Sequence, residues 1–296
     1  MEETSNQNLK YPKATLPIDA DGNLKLIPKI ANEFGKKFSK QYRFAKPFPH
    51  IVIDNFLPLD LINEILRLFP KDKQAGDIFF KSENSKYKRQ MLPEKCEQRT
   101  QNIFNFFNSS PVLQFLEGLT EINSLIGDPY FVGGGFHEIY KDGKLGVHAD
   151  FKVNEQLHLH RRINILIYLN KNWSPEYGGN LELWDKKMKN KIHSIAPLFN
   201  RCVIFNTDAD SYHGHPDPLN TPADVTRKSI ALYYYTASKK IYEENPAHST
   251  MYVARPEDKN SIKIQATLLR FQNYLKDFLP PIVFRALHKV INSIKK

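Results

Sequence analysis

The chain has 296 residues, of which 41% are hydrophobic and 25% charged, and its formal net charge is +10. A chain of this length and composition can bury a hydrophobic core without disulfides or structural metals. Its two cysteines are too few for a disulfide framework. These values exclude a small disulfide-stapled domain and are ordinary for a globular protein.

The lysines behind the positive charge are spread along the chain instead of forming one block. No zinc-finger, homeodomain or RNP-type signature accompanies them, so we expect a solvated surface and no nucleic-acid partner. The polar start at residues 1–5 differs from a secretory signal, and no apolar stretch approaches the length of a membrane span. These features predict a cytoplasmic protein without a transmembrane segment, and they leave the oligomeric state open.

The first half of the chain predicts mostly helices. Residues 1–45 are polar with little periodicity, which is typical of an arm with room for one short helix. A proline-marked strand is predicted at 47–56, a charged surface loop at 71–98, and helices at 59–69, 98–108 and 111–126. Pro70 ends the first helix, and Ser110 and Pro111 are predicted as the N-cap and first residue of the third.

From Tyr130 onward, short runs of β-branched and aromatic residues alternate with turn signals. They predict strands at 130–139, 145–150, 162–169, 180–184, 191–196, 201–206, 211–215 and 228–236. Such spacing indicates a sandwich, jelly roll or barrel. Helices are predicted again at 261–277 and 281–294. We expect an arm (1–45), one main domain (46–240) and a helical extension (241–296).

The strongest chemical motif is His148-Ala149-Asp150 in a strand-like stretch. Residues i and i+2 of a strand point to the same face, so an imidazole and a carboxylate are presented side by side. A second histidine would complete the two-His, one-carboxylate set that non-haem iron(II) oxygenases use. His213 and His215, also i and i+2, are both candidates. The motif alone is also compatible with a surface His–Asp pair.

A second feature lies in the last predicted strand, where Arg227 and Ser229 share one face. An arginine inside a sheet is costly to bury unless it is paired. A dicarboxylate co-substrate would pair it bidentately, with Ser229 as an additional donor. Arg227 could instead be a strand-edge cation facing water.

Together, these features resemble those of the prolyl-4-hydroxylase-like iron(II)/2-oxoglutarate-dependent dioxygenases. The resemblance runs from about 136 to 236, with a weaker match at 47–57, and its motifs come in the family's order. They are Tyr140-Lys141-Asp142-Gly143, His148-Ala149-Asp150, the strand 162–170 with Trp173, Gly178-Gly179-Asn180-Leu181, Pro197, the strand 200–205, Tyr212-His213 and Arg227-Lys228-Ser229. One such motif would be weak evidence, whereas the ordered set is specific.

The resemblance implies a mainly β fold with flanking helices, built on a double-stranded β-helix (jelly-roll) core. It implies Fe(II), 2-oxoglutarate and O2 as cofactor and co-substrates, with ascorbate (vitamin C) as a candidate reductant. The implied substrate is a protein side chain or a small molecule, hydroxylated at a C–H bond. By position, the roles it implies are iron ligands at His148, Asp150 and His213, and cofactor-pocket residues at Arg227, Ser229, Tyr168, Tyr140 and Asn164.

Several alternatives stay open from the sequence. His213 lies 14 residues before Arg227, longer than the family's usual spacing, and His215 lies 12 before it. His158 and His160 are compatible with a second metal site or with a loop near the mouth of the site. The whole domain could also be a catalytically silent jelly-roll scaffold, or a cupin-like metalloenzyme that does not use 2-oxoglutarate.

Overall fold

The structure is a computed structural model that describes residues 11–19, 24–238 and 250–268. Five α-helices precede most of the strands, at Pro28–Lys36 (α1), Ser39–Arg43 (α2), Leu59–Leu68 (α3), Gln98–Phe107 (α4) and Ser110–Thr120 (α5). Residues 260–268 are also helical. No helix in the described ranges is long and apolar enough to cross a membrane.

The described strands form one curled sheet, and the strands differ widely in length. They are His50–Ile53 (β1), Ile78–Ser82 (β2), Ser85–Met91 (β3), Ile126–Gly127 (β4), Gly135–Ala149 (β5), Val153–Asn154 (β6), Leu159–Tyr168 (β7), Leu181–Trp184 (β8), Lys191–Ile195 (β9), Cys202–Asn206 (β10), His213–His215 (β11), Arg227–Thr236 (β12) and Met251–Tyr252 (β13). The main path runs β1-β10-β7-β12-β5-β11-β8-β9, and all its pairs are antiparallel.

The long strand β5 makes this sheet a double-stranded β-helix. Its first half pairs with β12 in one layer, and its second half pairs with β11 in the other. The layers β1-β10-β7-β12-β5 and β5-β11-β8-β9 therefore face each other across an interior. This arrangement confirms the predicted jelly-roll class, in which two antiparallel layers face each other and enclose an interior.

The two faces of the larger layer carry different side chains because residues alternate along each strand. On β7, Ile163, Ile165 and Ile167 join the core that packs against the helices, whereas Leu166 and Tyr168 lie inside the jelly roll. The helix-side core is rich in phenylalanine, including Phe104, which contacts two other rings edge-on. The helices thus brace the outer face and leave the inner face for the site.

Several predicted elements differ from the structure. The predicted loop 71–98 holds the hairpin β2–β3, and β3 pairs with β5. The predicted strands 130–139 and 145–150 are one strand, because β5 continues through residues 140–144. The third predicted helix starts at Ser110 with Ser109 as N-cap, and ends at Thr120, before a left-handed Glu121.

Both chain ends contribute more than a simple arm and tail. The N-terminal arm was expected to hold one short helix, and its described part holds α1 and α2. Its Leu16, Ala31 and Tyr42 belong to the helix-side core. In the C-terminal part, helix is present at 260–268, and the predicted helices at 269–277 and 281–294 lie outside the described residues. The boundaries of the three predicted segments stay a prediction.

Candidate metal centre

Three candidate ligands come together where the two layers meet. His148 lies near the end of β5, Asp150 directly follows that strand, and His213 opens β11. His148 and His213 are register partners, and their ring centroids are 4.5 Å apart. The ligand atoms of all three side chains lie within 4.8 Å of one another. Antiparallel pairing thus brings together residues that are more than sixty positions apart in sequence.

Backbone hydrogen bonds orient both imidazoles toward the shared point. The Nδ1 atom of His148 lies 2.8 Å from the Gly146 carbonyl oxygen, and that of His213 lies 2.9 Å from the Ser211 oxygen. When Nδ1–H donates to a carbonyl, Nε2 keeps its lone pair for a metal. The Nε2 atoms are 3.7 Å (His148) and 3.4 Å (His213) from carboxylate oxygens of Asp150.

Asp150 is held by two side chains that the sequence did not single out for that role. Arg161 Nη2 lies 3.2 Å from Asp150 Oδ2, and Asn164 Nδ2 donates to the same oxygen at 2.7 Å. The amide oxygen of Asn164 accepts from Arg161 Nε and Nη2, at 3.0 and 2.7 Å. This triangle fixes one carboxylate oxygen and leaves the other directed toward His148.

The charge states of the triad suit metal binding. Burial raises the pKa of Asp150, but Arg161 and then the two histidines outweigh it, so that pKa lies well below its usual value. Burial lowers the pKa of His213 to about 4, with His148 adding to the shift and Asp150 opposing it. The carboxylate is therefore ionised and the His213 imidazole neutral near pH 7, as ligands must be.

The chemistry of this donor set fits ferrous iron. Two neutral imidazoles and one carboxylate on one face are the set that non-haem Fe(II) sites use, with positions left for other ligands. Across the described ranges, no other group of three histidine, cysteine, aspartate or glutamate side chains converges in this way. His158 and His160 do not belong to such a group, which argues against the second metal site.

The same interior holds Arg227, which is only 4% exposed. Its Nε donates to the Gly179 carbonyl oxygen at 2.8 Å, and its Nη2 lies 3.3 Å from the Tyr168 hydroxyl. The guanidinium forms no ion pair with any described residue. A buried cation without a counter-charge is unfavourable, so this arrangement points to an anionic ligand.

A cavity of about 170 Å³ connects the triad with Arg227. Of the residues predicted for the cofactor pocket, Arg227, Ser229 and Asn164 line it, and Tyr168 lies behind Arg227. Tyr140 was predicted to line this pocket, but it is not among the lining residues. On β5, His137 and Ile139 face the cavity, so Tyr140 points to the other side of the strand, and its hydroxyl donates to Glu138 at 2.9 Å.

The choice between His213 and His215 follows from the strand register. His213 pairs with His148, whereas His215 pairs with Leu145 beyond an irregularity in the ladder. His215 is buried and lines the cavity, but it is not part of the triad. Gly214 allows this approach, since a Cβ there would lie 2.8 Å from backbone oxygens of β5.

Three further cavity residues were not predicted from the sequence. Arg161 precedes the predicted strand 162–169, Lys88 lies in the predicted charged loop 71–98, and Tyr252 lies in the predicted extension 241–296. The Tyr252 ring lies 5.4 Å from that of His148, because β13 pairs with the end of β5. None of the three had a usable signal. Residues three apart in a regular strand face opposite sides, and the register of β7 against β12 shifts between Arg161 and Ile163, so that Arg161 and Asn164 both line the cavity.

The comparisons with known proteins agree with this geometry. Residues 135–235 match the family model described as 2OG-Fe(II) oxygenase superfamily. A stretch of 82 residues, 26% of this chain, is 30% identical to prolyl 3-hydroxylase OGFOD1 of Mus musculus. The chain spans about 15% of the length of that curated relative.

Two solved structures are similar at low sequence identity. A Trichoplax adhaerens prolyl hydroxylase, solved with a hypoxia inducible factor peptide fragment, is 18% identical with a TM-score of 0.48, covering 70% of this chain and 91% of its own. A Pseudomonas putida prolyl-4-hydroxylase is 16% identical with a TM-score of 0.48, covering 69% and 100%. The family match confirms the predicted resemblance, since residues 135–235, which hold the triad, Arg227 and Ser229, carry the pattern of the 2OG-Fe(II) oxygenase superfamily.

Proposed function

We propose that this chain is an iron(II)- and 2-oxoglutarate-dependent dioxygenase that hydroxylates a C–H bond and forms succinate and CO2. The observation that carries the proposal is the buried Arg227 in the same cavity as the triad. A cupin-like metalloenzyme would need the three ligands but not a buried guanidinium lacking a counter-charge. A silent scaffold would need neither the three ligands nor the buried Arg227. Burying these charged groups without a bound ligand would lower the stability of such a scaffold.

In this proposal, the residues around the metal and around Arg227 have separate tasks. His148, Asp150 and His213 hold the metal, and Arg161 and Asn164 position Asp150 and keep it ionised. Arg227 binds the distal carboxylate of 2-oxoglutarate, supported by Ser229 and by Tyr168 behind it. Iron and 2-oxoglutarate, when bound, supply the oxygen chemistry. The protein contributes orientation and the exclusion of bulk water.

The substrate class follows from the relatives that the chain resembles. The named relatives are prolyl hydroxylases, and a prolyl side chain in a protein or a small molecule is the class we favour here. A cytoplasmic location and ascorbate as reductant belong to the same proposal. They rest on the sequence and on the resemblance.

The test is co-substrate binding followed by turnover. Under anaerobic conditions, Fe(II) with 2-oxoglutarate should give the weak visible charge-transfer band, and oxygen should then release succinate slowly even without substrate. His148→Ala, Asp150→Ala and His213→Ala should each abolish both signals, because each removes one of three ligands. His193→Asn is the matched control, since that ring bonds the Lys46 carbonyl oxygen away from the cavity. Normal succinate release by any triad variant would refute the assignment.

Arg227→Gln separates this proposal from a metalloenzyme without 2-oxoglutarate. Removing one partner of a buried charged pair costs about 3–5 kcal/mol, so the dissociation constant for 2-oxoglutarate should rise on the order of 100-fold or more. Metal affinity, measured by calorimetry, should stay within about threefold, since Arg227 is not a ligand. Lys228→Gln changes a cation on the opposite face of β12 and should alter neither. An equal loss of metal and 2-oxoglutarate affinity in Arg227→Gln would indicate a folding role.

A further inference from the structure

The β2–β3 hairpin brings a further cation, Lys88, to the cavity, in addition to Arg227 and Arg161. Strand pairing places Lys88, Ile139 and Arg227 in one row across β3, β5 and β12. Directly opposite residues in paired strands share a face, so both cations rise from the inner face of the sheet. Two strand spacings of about 4.8 Å separate their backbones by roughly 10 Å. Lys88 therefore enters the cavity from a different strand than Arg227, two strands away.

A β-bulge turns a second polar group of the hairpin toward the same space. The register between β3 and β5 shifts between Lys86 and Lys88, and Tyr87 between them has a positive φ of 52°. In a regular strand, residues three apart face opposite sides, but this irregularity lets both Ser85 and Lys88 line the cavity. Bulges are typical of positions where a side chain is redirected toward a site.

Neither group has a polar partner among the described residues. The Lys88 side chain is buried, with the residue 9% exposed, and its ammonium lies 4.8 Å from the centroid of the Phe80 ring without an ion pair. Burial lowers the pKa of Lys88 to about 8, while Asp150 opposes the shift. The hydroxyl oxygen of Ser85 is buried and makes no hydrogen bond. Two buried donors facing one space without an acceptor indicate an anionic ligand group.

The hairpin is anchored, so this placement is fixed by packing. Arg89 is fully buried on the other face of β3, where it contacts Asp77 at 2.7 Å and Glu138 at 3.1 Å. It also donates to the Pro70 carbonyl oxygen at 3.1 Å. Because neighbouring residues of a strand face opposite sides, this network directs Lys88 inward.

We propose that Lys88 and Ser85 bind a carboxylate of the primary substrate, which is therefore a small carboxylic acid or a chain end with a free carboxylate. This inference rests on the proposed function, in which Arg227 already holds the distal carboxylate of 2-oxoglutarate. A single ammonium with one hydroxyl suits a monoanion. It lacks the several donors with which proteins usually hold a phosphate.

The test uses trifluoroacetate as a minimal carboxylate, followed by fluorine NMR, on protein loaded with Zn(II) and saturating 2-oxoglutarate. Trifluoroacetamide, which has nearly the same shape without charge, is the matched probe. Trifluoroacetate should bind wild type, and Lys88→Met should weaken it at least about tenfold, as expected when a charged hydrogen bond is lost. Lys88→Arg should retain affinity within about threefold, and trifluoroacetamide should bind weakly to all. Lys86→Met, which removes a lysine lying on the Tyr87 ring of the same hairpin, should bind like wild type.

Several results would overturn the inference. They are absence of trifluoroacetate binding to wild type, equal binding to Lys88→Met, and displacement of the probe by inorganic phosphate at lower concentrations than by acetate. Weaker 2-oxoglutarate binding in Lys88→Met would assign Lys88 to the co-substrate instead. If wild type with Zn(II) does not bind 2-oxoglutarate, the proposed function fails. In that case, trifluoroacetate binding is measured on metal-free Arg227→Gln and on the metal-free double variant Arg227→Gln, Lys88→Met. Weaker trifluoroacetate binding in the double variant would still support a carboxylate site at Lys88, and equal binding would exclude it. The unfolding midpoint of each variant shows that it is folded.

Discussion

Asp150 illustrates how one residue of the site depends on its neighbours. A buried carboxylate between two imidazoles would be costly without compensation, and Arg161 provides it. The Arg161 guanidinium is itself sandwiched, 3.6 Å from the centroid of the Tyr233 ring and 4.5 Å from that of Phe151. In the proposed metal site, Arg161 is therefore a positioning residue, which acts on the metal through Asp150.

Arg161→Met should weaken metal binding by about 10–100-fold, the usual effect of removing a partner that orients a ligand. Asp150 would lose its main counter-charge, so its pKa should rise and metal binding should become more sensitive to acid below neutral pH. Arg162→Met is the matched control, because that side chain points to the other face, near Thr236. Calorimetric titration with Zn(II) at pH 7 and pH 5.5 measures both effects. Unchanged metal affinity in folded Arg161→Met would contradict the role.

At the scale of elements, the site depends on how closely loops and strands approach one another. Gly179 precedes β8 with a φ of +69°, and its carbonyl oxygen accepts from Arg227. A Cβ at Gly179 would lie 2.5 Å from Leu219 Cδ2 and 3.1 Å from Arg227 Cδ. A glycine is thus required here both for the backbone conformation and for the room that Arg227 occupies.

Gly179→Ala should destabilise the protein by about 1–3 kcal/mol and should also weaken 2-oxoglutarate binding, because it displaces Arg227. Gly178→Ala is the informative comparison. Gly178 has a similar φ of +67°, but a Cβ there would meet nothing within 4 Å. It should lower stability through backbone strain while leaving 2-oxoglutarate affinity close to that of wild type. Urea unfolding and a 2-oxoglutarate titration of both variants measure this. Equal 2-oxoglutarate affinities would contradict the steric role of Gly179.

The β2–β3 hairpin shows why an element can be missed. Its residues are rich in lysine and were predicted as a charged surface loop. In the structure, Arg89 is buried by an ion-pair network and Lys88 by the cavity, so charged side chains occupy interior positions. Periodicity of apolar residues is the main signal for a strand, and charged residues buried by distant partners do not produce it.

At the scale of the whole molecule, buried histidines make stability depend on pH. Burial lowers the pKa of His50 to about 4, opposed by its hydrogen bond to the Phe48 carbonyl, and lowers that of His137 well below its usual value. In the unfolded chain these histidines titrate near 6.5, so the unfolded state binds more protons between about pH 4 and 6.5. The contribution of these neutral histidines to the free energy of unfolding is therefore complete above pH 6.5, and it is lost as the pH falls from 6.5 toward 4.

The free energy of unfolding of the metal-free protein should fall between pH 7.5 and 5, by about 2 kcal/mol for each buried histidine. His213 adds to the effect in the absence of metal. His50→Gln should make the slope shallower, because one of the groups that take up protons on unfolding is gone. Urea unfolding at several pH values measures the slope. A stability that stays constant or rises toward pH 5 would contradict the assignment of neutral buried histidines.

The sequence by itself narrowed the fold to a sandwich, jelly roll or barrel, and the family resemblance implied the jelly roll and the chemistry of the candidate site. Strand periodicity puts His148 and Asp150 on one face and Arg227 and Ser229 on another, and these are local relations that spacing alone expresses. Order along the chain added the family resemblance, which the match over residues 135–235 confirms.

Only the tertiary structure decided which distant groups meet. It selected His213 over His215 through the register of β11 on β5, turned Tyr140 away from the cavity, and brought Arg161 onto Asp150. It also brought Lys88 and Tyr252 into a cavity from segments predicted as a charged loop and a C-terminal helical extension. The physical reason is that strand register and the side of a bulge are set by pairing with other strands. The residues next to a strand in sequence do not determine which register it adopts with a distant strand.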